Sequence, residues 1–143
     1  MLQLFNKNFK YICILKAFLL LINFKISHAD NWELVTKGIN GHSFYVLGNE
    51  VVEKDNYIYF WQLIDYKISD EYGDSSARIF IKGNCNNLSF KWLKIAYHKE
   101  NMAKDNVVIQ EPSIQTSDWQ FSKLNTTSRV VLEFACRRKA LLL

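Results

Sequence analysis

The stretch Tyr57-Ile-Tyr-Phe-Trp-Gln-Leu-Ile-Asp-Tyr66 decides the fold. β-Branched and aromatic residues crowd it, a composition with poor helix propensity and a strong preference for extended chain. In a strand, side chains alternate between faces. Tyr57, Tyr59, Trp61 and Leu63 then fall on one side, and Ile58, Phe60 and Ile64 on the other. A strand apolar on both faces is expected to be central and covered on each side.

Outward from this segment the chain keeps the same grammar, with turn residues every eight to twelve positions. Asp55-Asn56 turns the short Val51–Lys54 into it. Before that, Trp32 to Lys37 alternates and stops at Gly38 and Gly41, and Ser43-Phe-Tyr-Val-Leu47 stops at Gly48-Asn49. After it, Lys67 to Ser76 is a polar loop, and Ala77, Ile79 and Ile81 alternate with Arg78, Phe80 and Lys82. Leu88 to about Tyr97 reads as a further strand, Glu100 to Asp105 as one helical turn, and Val107 to Ile109 as a brief strand before Pro112. Trp119 and Phe121 anchor a polar connection, and Arg129-Val-Val-Leu-Glu-Phe-Ala-Cys136 reads as the final strand. No helix of three turns is expected. Short strands with hairpin-length gaps require antiparallel pairing, since parallel pairs need long crossovers. The expectation is a mainly β domain: one curved or barrel-like antiparallel sheet of six to eight strands.

The first 29 residues have the layout of a secretory leader: Lys7 and Lys10, an apolar run from Ile12 to Phe24, and Ser27-His28-Ala29 as a cleavage site. The run is interrupted by Lys16 and is too short for a bilayer core of about 30 Å, which needs roughly 20 residues. The chain's formal charge of +4 is that leader's. Without Lys7, Lys10, Lys16 and Lys25, 14 basic residues remain against 14 acids, which gives no reason to expect nucleic acid or anionic lipid. Residues 30–136 form one domain, and residues 137–143 are read as a short basic and apolar tail.

Of three cysteines, Cys13 leaves with the leader, and it lies on the wrong side of the apolar run for lipidation. Cys85 and Cys136 remain, and two thiols in an exported domain are expected to pair. The bond would close about 51 residues, worth roughly 4 kcal/mol of chain entropy. A metal site built from Cys85, Cys136 and His98 lacks any recognised ligand spacing.

Signatures of catalysis are missing: no G-x-S-x-G, no H-E-x-x-H, no glycine-rich phosphate loop and no calcium loop. No catalytic residue, metal or cofactor is therefore expected. His42, beside a turn glycine, and His98, at a strand end, read as structural or surface residues. Asp65 reads as the cap of its strand, and Asp70, Glu71 and Asp74 as a solvated loop around Tyr72 and Gly73. The aromatic content stands out. Tyr45, Tyr57, Tyr59, Trp61, Trp92, Tyr97 and Trp119 are more than so small a core can absorb, so an exposed aromatic patch on one sheet face is expected. Arg137-Arg138-Lys139 reads as a frayed basic end, and Asn125-Thr126-Thr127 as a formal glycosylation sequon.

Several of these motifs stand in a familiar order. Trp32-Glu-Leu-Val35, Ser43-Phe-Tyr-Val46, Tyr59-Phe-Trp-Gln-Leu-Ile-Asp-Tyr66, Ser75-Ser76 before Cys85, Trp119 and the closing Val131-Leu-Glu-Phe-Ala-Cys136 resemble the bacterial surface-adhesin protein E family over roughly residues 31–136. The resemblance implies a Gram-negative envelope protein whose disulfide pins the C-terminal segment against an antiparallel sheet. It also implies attachment to extracellular or envelope proteins. The chain departs from the family pattern in lacking a lipidation cysteine, and its seven residues after Cys136 look too few for a substantial C-terminal helix. The functional expectation is a non-enzymatic, exported, protein-binding module in the periplasm, on the outer-membrane surface or outside the cell. The alternative is a periplasmic assembly factor or a carrier of a small apolar ligand. A dimer is permitted by the exposed edges but not required.

Overall fold

The computed structural model describes residues 31–141; the leader expected over residues 1–29 lies outside the described residues. Seven strands form one antiparallel sheet: β1 (Trp32–Lys37), β2 (Ser43–Leu47), β3 (Val52–Lys54), β4 (Tyr57–Asp65), β5 (Ser76–Asn84), β6 (Ser89–His98) and β7 (Gln120–Phe121). Their order is β1-β2-β4-β5-β6-β7, with β3 pairing to β4. β2 and β3 thus share one side of β4. Ser43–Val46 runs along Asp65–Gln62, and Val52–Lys54 along Tyr59–Tyr57. The step between them is the 3-10 turn Gly48–Glu50. Asp55 and Asn56 both take left-handed φ (52° and 64°), the two-residue hairpin geometry that those side chains tolerate.

The sheet does not close, and the reason lies at the C-terminus. Thr127–Leu141 is a helix, α2, rather than the final strand expected over 129–136. Thr126 caps it: its Oγ1 accepts from Arg129 N (3.3 Å), and its carbonyl accepts from Val130 N (3.2 Å). Arg129 Nε then donates to Glu133 Oε1 one turn on (2.6 Å). Val131, Leu132 and Ala135, all at most 1% exposed, make a helical stripe that the alternating reading had split between two faces. α2 lies across β1, β2 and β4, where a closed barrel would have had its interior. It continues past Cys136, so the segment read as a tail is in large part its last turns.

The core is the layer between α2 and one sheet face. Ile58 and Phe60 of β4, Ile79 and Ile81 of β5, Ile95 of β6 and Val46 of β2 meet Val131, Leu132 and Ala135 there. Burial of each large side chain contributes roughly 1.5–3 kcal/mol. β5 comes closest to the helix at Gly83, where any Cβ would stand 2.6 Å from Leu132 Cδ1. Cys85, just beyond β5, is bonded to Cys136 of α2 with a Cα–Cα distance of 5.8 Å. At the far end of the sheet, Arg138 of α2 pairs with Glu33 of β1. A shorter helix, α1 (Ile114–Ser117), precedes β7 and is capped by Ser113. Val107 to Ile109 forms no strand of its own, although Gln110 makes an isolated bridge to Ile95 on the outer side of β6.

Candidate functional site

With α2 on one face, most of the other face of the sheet is left to side chains. Tyr57, Tyr59 and Trp61 point to it from β4, at alternate positions, opposite the buried Ile58 and Phe60. Register sets their neighbours. Tyr59 faces Lys82 of β5, which faces Lys91 of β6. Trp61 faces Phe80, which faces Lys94, and Leu63 faces Arg78. Rings and cations are therefore interleaved row by row across three strands.

The rings are tilted against each other, Trp61 and Phe80 with centroids 5.0 Å apart and Tyr59 and Phe80 6.3 Å apart. Trp119, arriving from the connection before β7, lies 5.5 Å from Tyr57. Cations sit above these rings. Lys82 Nζ is 3.9 Å from the Tyr57 centroid, Lys91 Nζ 5.5 Å from Trp119, and Arg78 Cζ 5.7 Å from Trp61. Each such contact contributes on the order of 0.5–1 kcal/mol at a partly exposed site. Beside them, Tyr59, Trp61 and Phe80 form the floor of a groove of about 620 Å³, with Glu50, Val52 and Lys54 on its wall.

The expected aromatic patch is therefore present, but its membership differs from the sequence reading. Tyr57, Tyr59, Trp61 and Trp119 belong to it; Trp92 packs against the core on the helix side, and Tyr97 is exposed near the end of β6. Phe80 and the cations were missed, although the alternation Arg78-x-Phe80-x-Lys82 carried the signal.

One end of this face is closed by the chain following β6. Asp65 Oδ1 accepts from Met102 N (2.7 Å) and Asn101 Nδ2 (3.1 Å), so the strand-end acid anchors the turn Asn101–Ala103. Ser76 Oγ donates to Glu100 O (2.7 Å) and accepts from Ala103 N (3.0 Å). These bonds hold Met102 and Ala103 in left-handed conformations (φ 57° and 53°) that neither side chain favours. His98, fully buried, places Nδ1 3.1 Å from Asp105 Oδ1. Burial opposes the Asp105 charge, but hydrogen bonds from the amides of Lys99, Asp105 itself and Glu100 and from the His98 ring outweigh it and hold the carboxyl below its usual range. A histidine beside an acid is thus present, with Ser76 opposite His98 in the sheet register. It offers no route to a substrate, since both side chains are 0% exposed and the serine hydroxyl is already engaged on both sides.

The remaining candidates are structural. His42 Nδ1 accepts from Lys67 N (3.1 Å), and its ring meets Tyr66 at 5.1 Å. Burial, then the neighbouring Tyr97, Asp70 and Asp74, push the Tyr66 phenol up to about 12. Asp70 Oδ1 accepts from Tyr72 N and Asp74 N, folding the loop on itself, while Asp74 pairs with Lys99 at 2.7 Å. Among the described residues no three His, Cys, Asp or Glu side chains are grouped to hold a metal, and no helix is long and apolar enough to cross a membrane.

The described residues thus form a disulfide-stapled antiparallel sheet, covered on one face by α2 and presenting aromatic rings and cations on the other. The chain belongs to the surface-adhesin protein E family, whose model matches residues 32–137. The crystal structure of protein E from non-typeable Haemophilus influenzae is similar at a TM-score of 0.48 and 11% identity, over 82% of this chain and 92% of that one. No curated protein sequence matches the chain.

Proposed function

We propose that the protein is an exported, non-enzymatic binding module of adhesin type, and that the open sheet face is where it holds an extracellular or envelope partner. One observation carries this reading: Tyr57, Tyr59, Trp61, Phe80 and Trp119 share the sheet face opposite α2 and stay partly exposed there. Large aromatic side chains in a partly desolvated patch are the usual anchors of protein contacts. Membership of the surface-adhesin protein E family supports it. The sheet does not close and α2 fills one side of it, which leaves the carrier alternative without a barrel interior.

Saturable binding of the purified protein to matrix proteins and to intact cells is the expected result. Trp61→Ala combined with Phe80→Ala should weaken it at least about tenfold, the scale of a single interface anchor. Ile39→Ala, at a fully exposed turn, should not. Binding that ignores the face variants would reject the assignment of the face. Absence of saturable binding to either surface would reject the adhesin reading.

A further inference from the structure

Arg78, Lys82 and Lys91 on the open face lie over aromatic rings, but no cation there has an ion-pair partner among the described residues. Lys54, Arg78, Lys82, Lys91 and Lys94 come from three different strands, and no carboxylate of a described residue forms an ion pair with any of them. Two features make this costly. Lys82 and Lys91 stand directly opposite each other on adjacent strands, where like charges repel. Arg78 Nε is buried and has no hydrogen-bond partner among the described residues. A buried guanidinium donor without an acceptor is a cost to the fold.

We propose that the open face binds the sulfated polysaccharide chain of a proteoglycan. This rests on the reading of that face as the contact surface and names what it grips. The cations are spread along rows of the sheet instead of converging on a point. At about 3.3 Å per residue, alternate positions on one strand lie roughly 7 Å apart, an array suited to an extended polyanion and not to a single small ion. The rings serve to hold the ammonium groups. Lys82 Nζ over Tyr57 and Lys91 Nζ over Trp119 are fixed by the ring faces, so little side-chain freedom is lost when an anion arrives. Because those faces are already occupied by cations, they are poor platforms for stacked nucleobases. An acidic peptide is disfavoured for another reason: the backbone groups of this face are spent in the sheet ladder, so a peptide would gain no main-chain hydrogen bonds from it.

The test is retention of the oxidised, full-chain protein on immobilised heparin, followed across a salt gradient. Binding should be salt-sensitive, because each cation–sulfate contact releases counter-ions. Lys82→Met with Lys91→Met keeps the apolar stems over the rings and removes only charge. This pair should lose about tenfold or more in affinity, a loss of two charged contacts. The same changes at Lys37 and Lys123, exposed elsewhere, should alter it less than about twofold. Far-ultraviolet circular dichroism of every variant confirms that the fold persists, and Lys82→Arg with Lys91→Arg, which keeps both charges, should retain binding. Equal affinity for N- and O-desulfated heparin, for single-stranded DNA or for polyglutamate would overturn the proposal, as would equal losses in the two lysine pairs. If matrix proteins bind saturably and the binding survives heparinase treatment and added heparin, the polysaccharide inference fails and the adhesin reading stands. If neither matrix proteins nor heparin bind, both fail.

Discussion

Gly83→Ala measures how tightly α2 is pressed onto the sheet. The new methyl would lie 2.6 Å from Leu132 Cδ1 and 3.0 Å from Ile58 Cγ1, against about 3.5–4.0 Å for a relaxed carbon contact. Roughly an ångström of space must be found. Leu132 and Ile58 are each 1% exposed, so neither can turn into solvent. The helix cannot simply lift, because Cys136, one turn beyond Leu132, is bonded to Cys85 beside Gly83. Overpacking of this kind costs about 1–3 kcal/mol, a large share of the 5–15 kcal/mol typical of a small domain. Leu132→Ala alone should cost about 2–5 kcal/mol by leaving a cavity. In the double variant the added methyl enters the space the leucine vacated. The combined loss should then fall short of the sum by about 0.5–3 kcal/mol, the range of direct coupling between touching side chains. Urea unfolding of the four proteins, followed by tryptophan fluorescence with unchanged slopes, supplies the cycle. Losses that add to within about 0.5 kcal/mol would mean that position 83 and Leu132 do not compete for the same volume, and the helix–sheet contact would be wrong.

Replacing Cys85 and Cys136 together by serine should lower stability by about 4 kcal/mol, from a closed loop with a sequence separation of 51. The reduced native protein should show the same shift in urea midpoint, and a shift below about 1 kcal/mol in both would refute the restraint. Thr126→Ala removes the acceptor for Arg129 N and should cost about 1 kcal/mol in thermal unfolding, while Thr126→Ser should recover most of it. The lowered Asp105 carboxyl contributes stability that is present above the unfolded carboxylate value and is lost as pH falls through the lower folded one. Asp105→Asn should therefore flatten the acid side of the stability curve below about pH 4. A curve of unchanged acid slope would show that the loop is not held by that charge.

Most of the sheet was legible because its signals are local. The two-faced alternation of Tyr57 to Leu63, the Asp55-Asn56 turn and the register-setting hairpins each lie within a few residues. α2 was misread because Arg129 to Cys136 satisfies two periods at once. Val130, Leu132 and Phe134 fit a strand face, whereas Val131, Leu132 and Ala135 fit a helical stripe. The Thr126 cap and the Arg129–Glu133 pair were the discriminating features, and both lay in view. Other features had no local signature. The left-handed turn at Met102 and Ala103 uses residues that do not advertise it, and is imposed by Asp65 and Ser76 from distant strands. Trp119 meets Tyr57 across most of the domain. Which cations share the open face depends on which face α2 covers, a tertiary fact that the strand pattern leaves undecided.

A strand apolar on both faces should be covered on both, yet β4 has a helix on only one side. The cations resolve this. Lysine and arginine stems are themselves apolar and can lie along a hydrophobic surface while the charged head stays in water. Lys82 and Arg78, drawn over Tyr57 and Trp61 by the ring quadrupoles, shield part of what a second helix would otherwise have covered. A helix there would be permanent, and it would bury the rings for good. Side chains held by weak cation–ring contacts instead leave a surface that is dry enough to survive in water and still open to a partner. The cost is the unrelieved repulsion between Lys82 and Lys91 and the orphaned Arg78 donor. A face optimised for stability alone would carry an acid opposite one of those lysines, whereas β5 and β6 place positive charge on both sides of the pair.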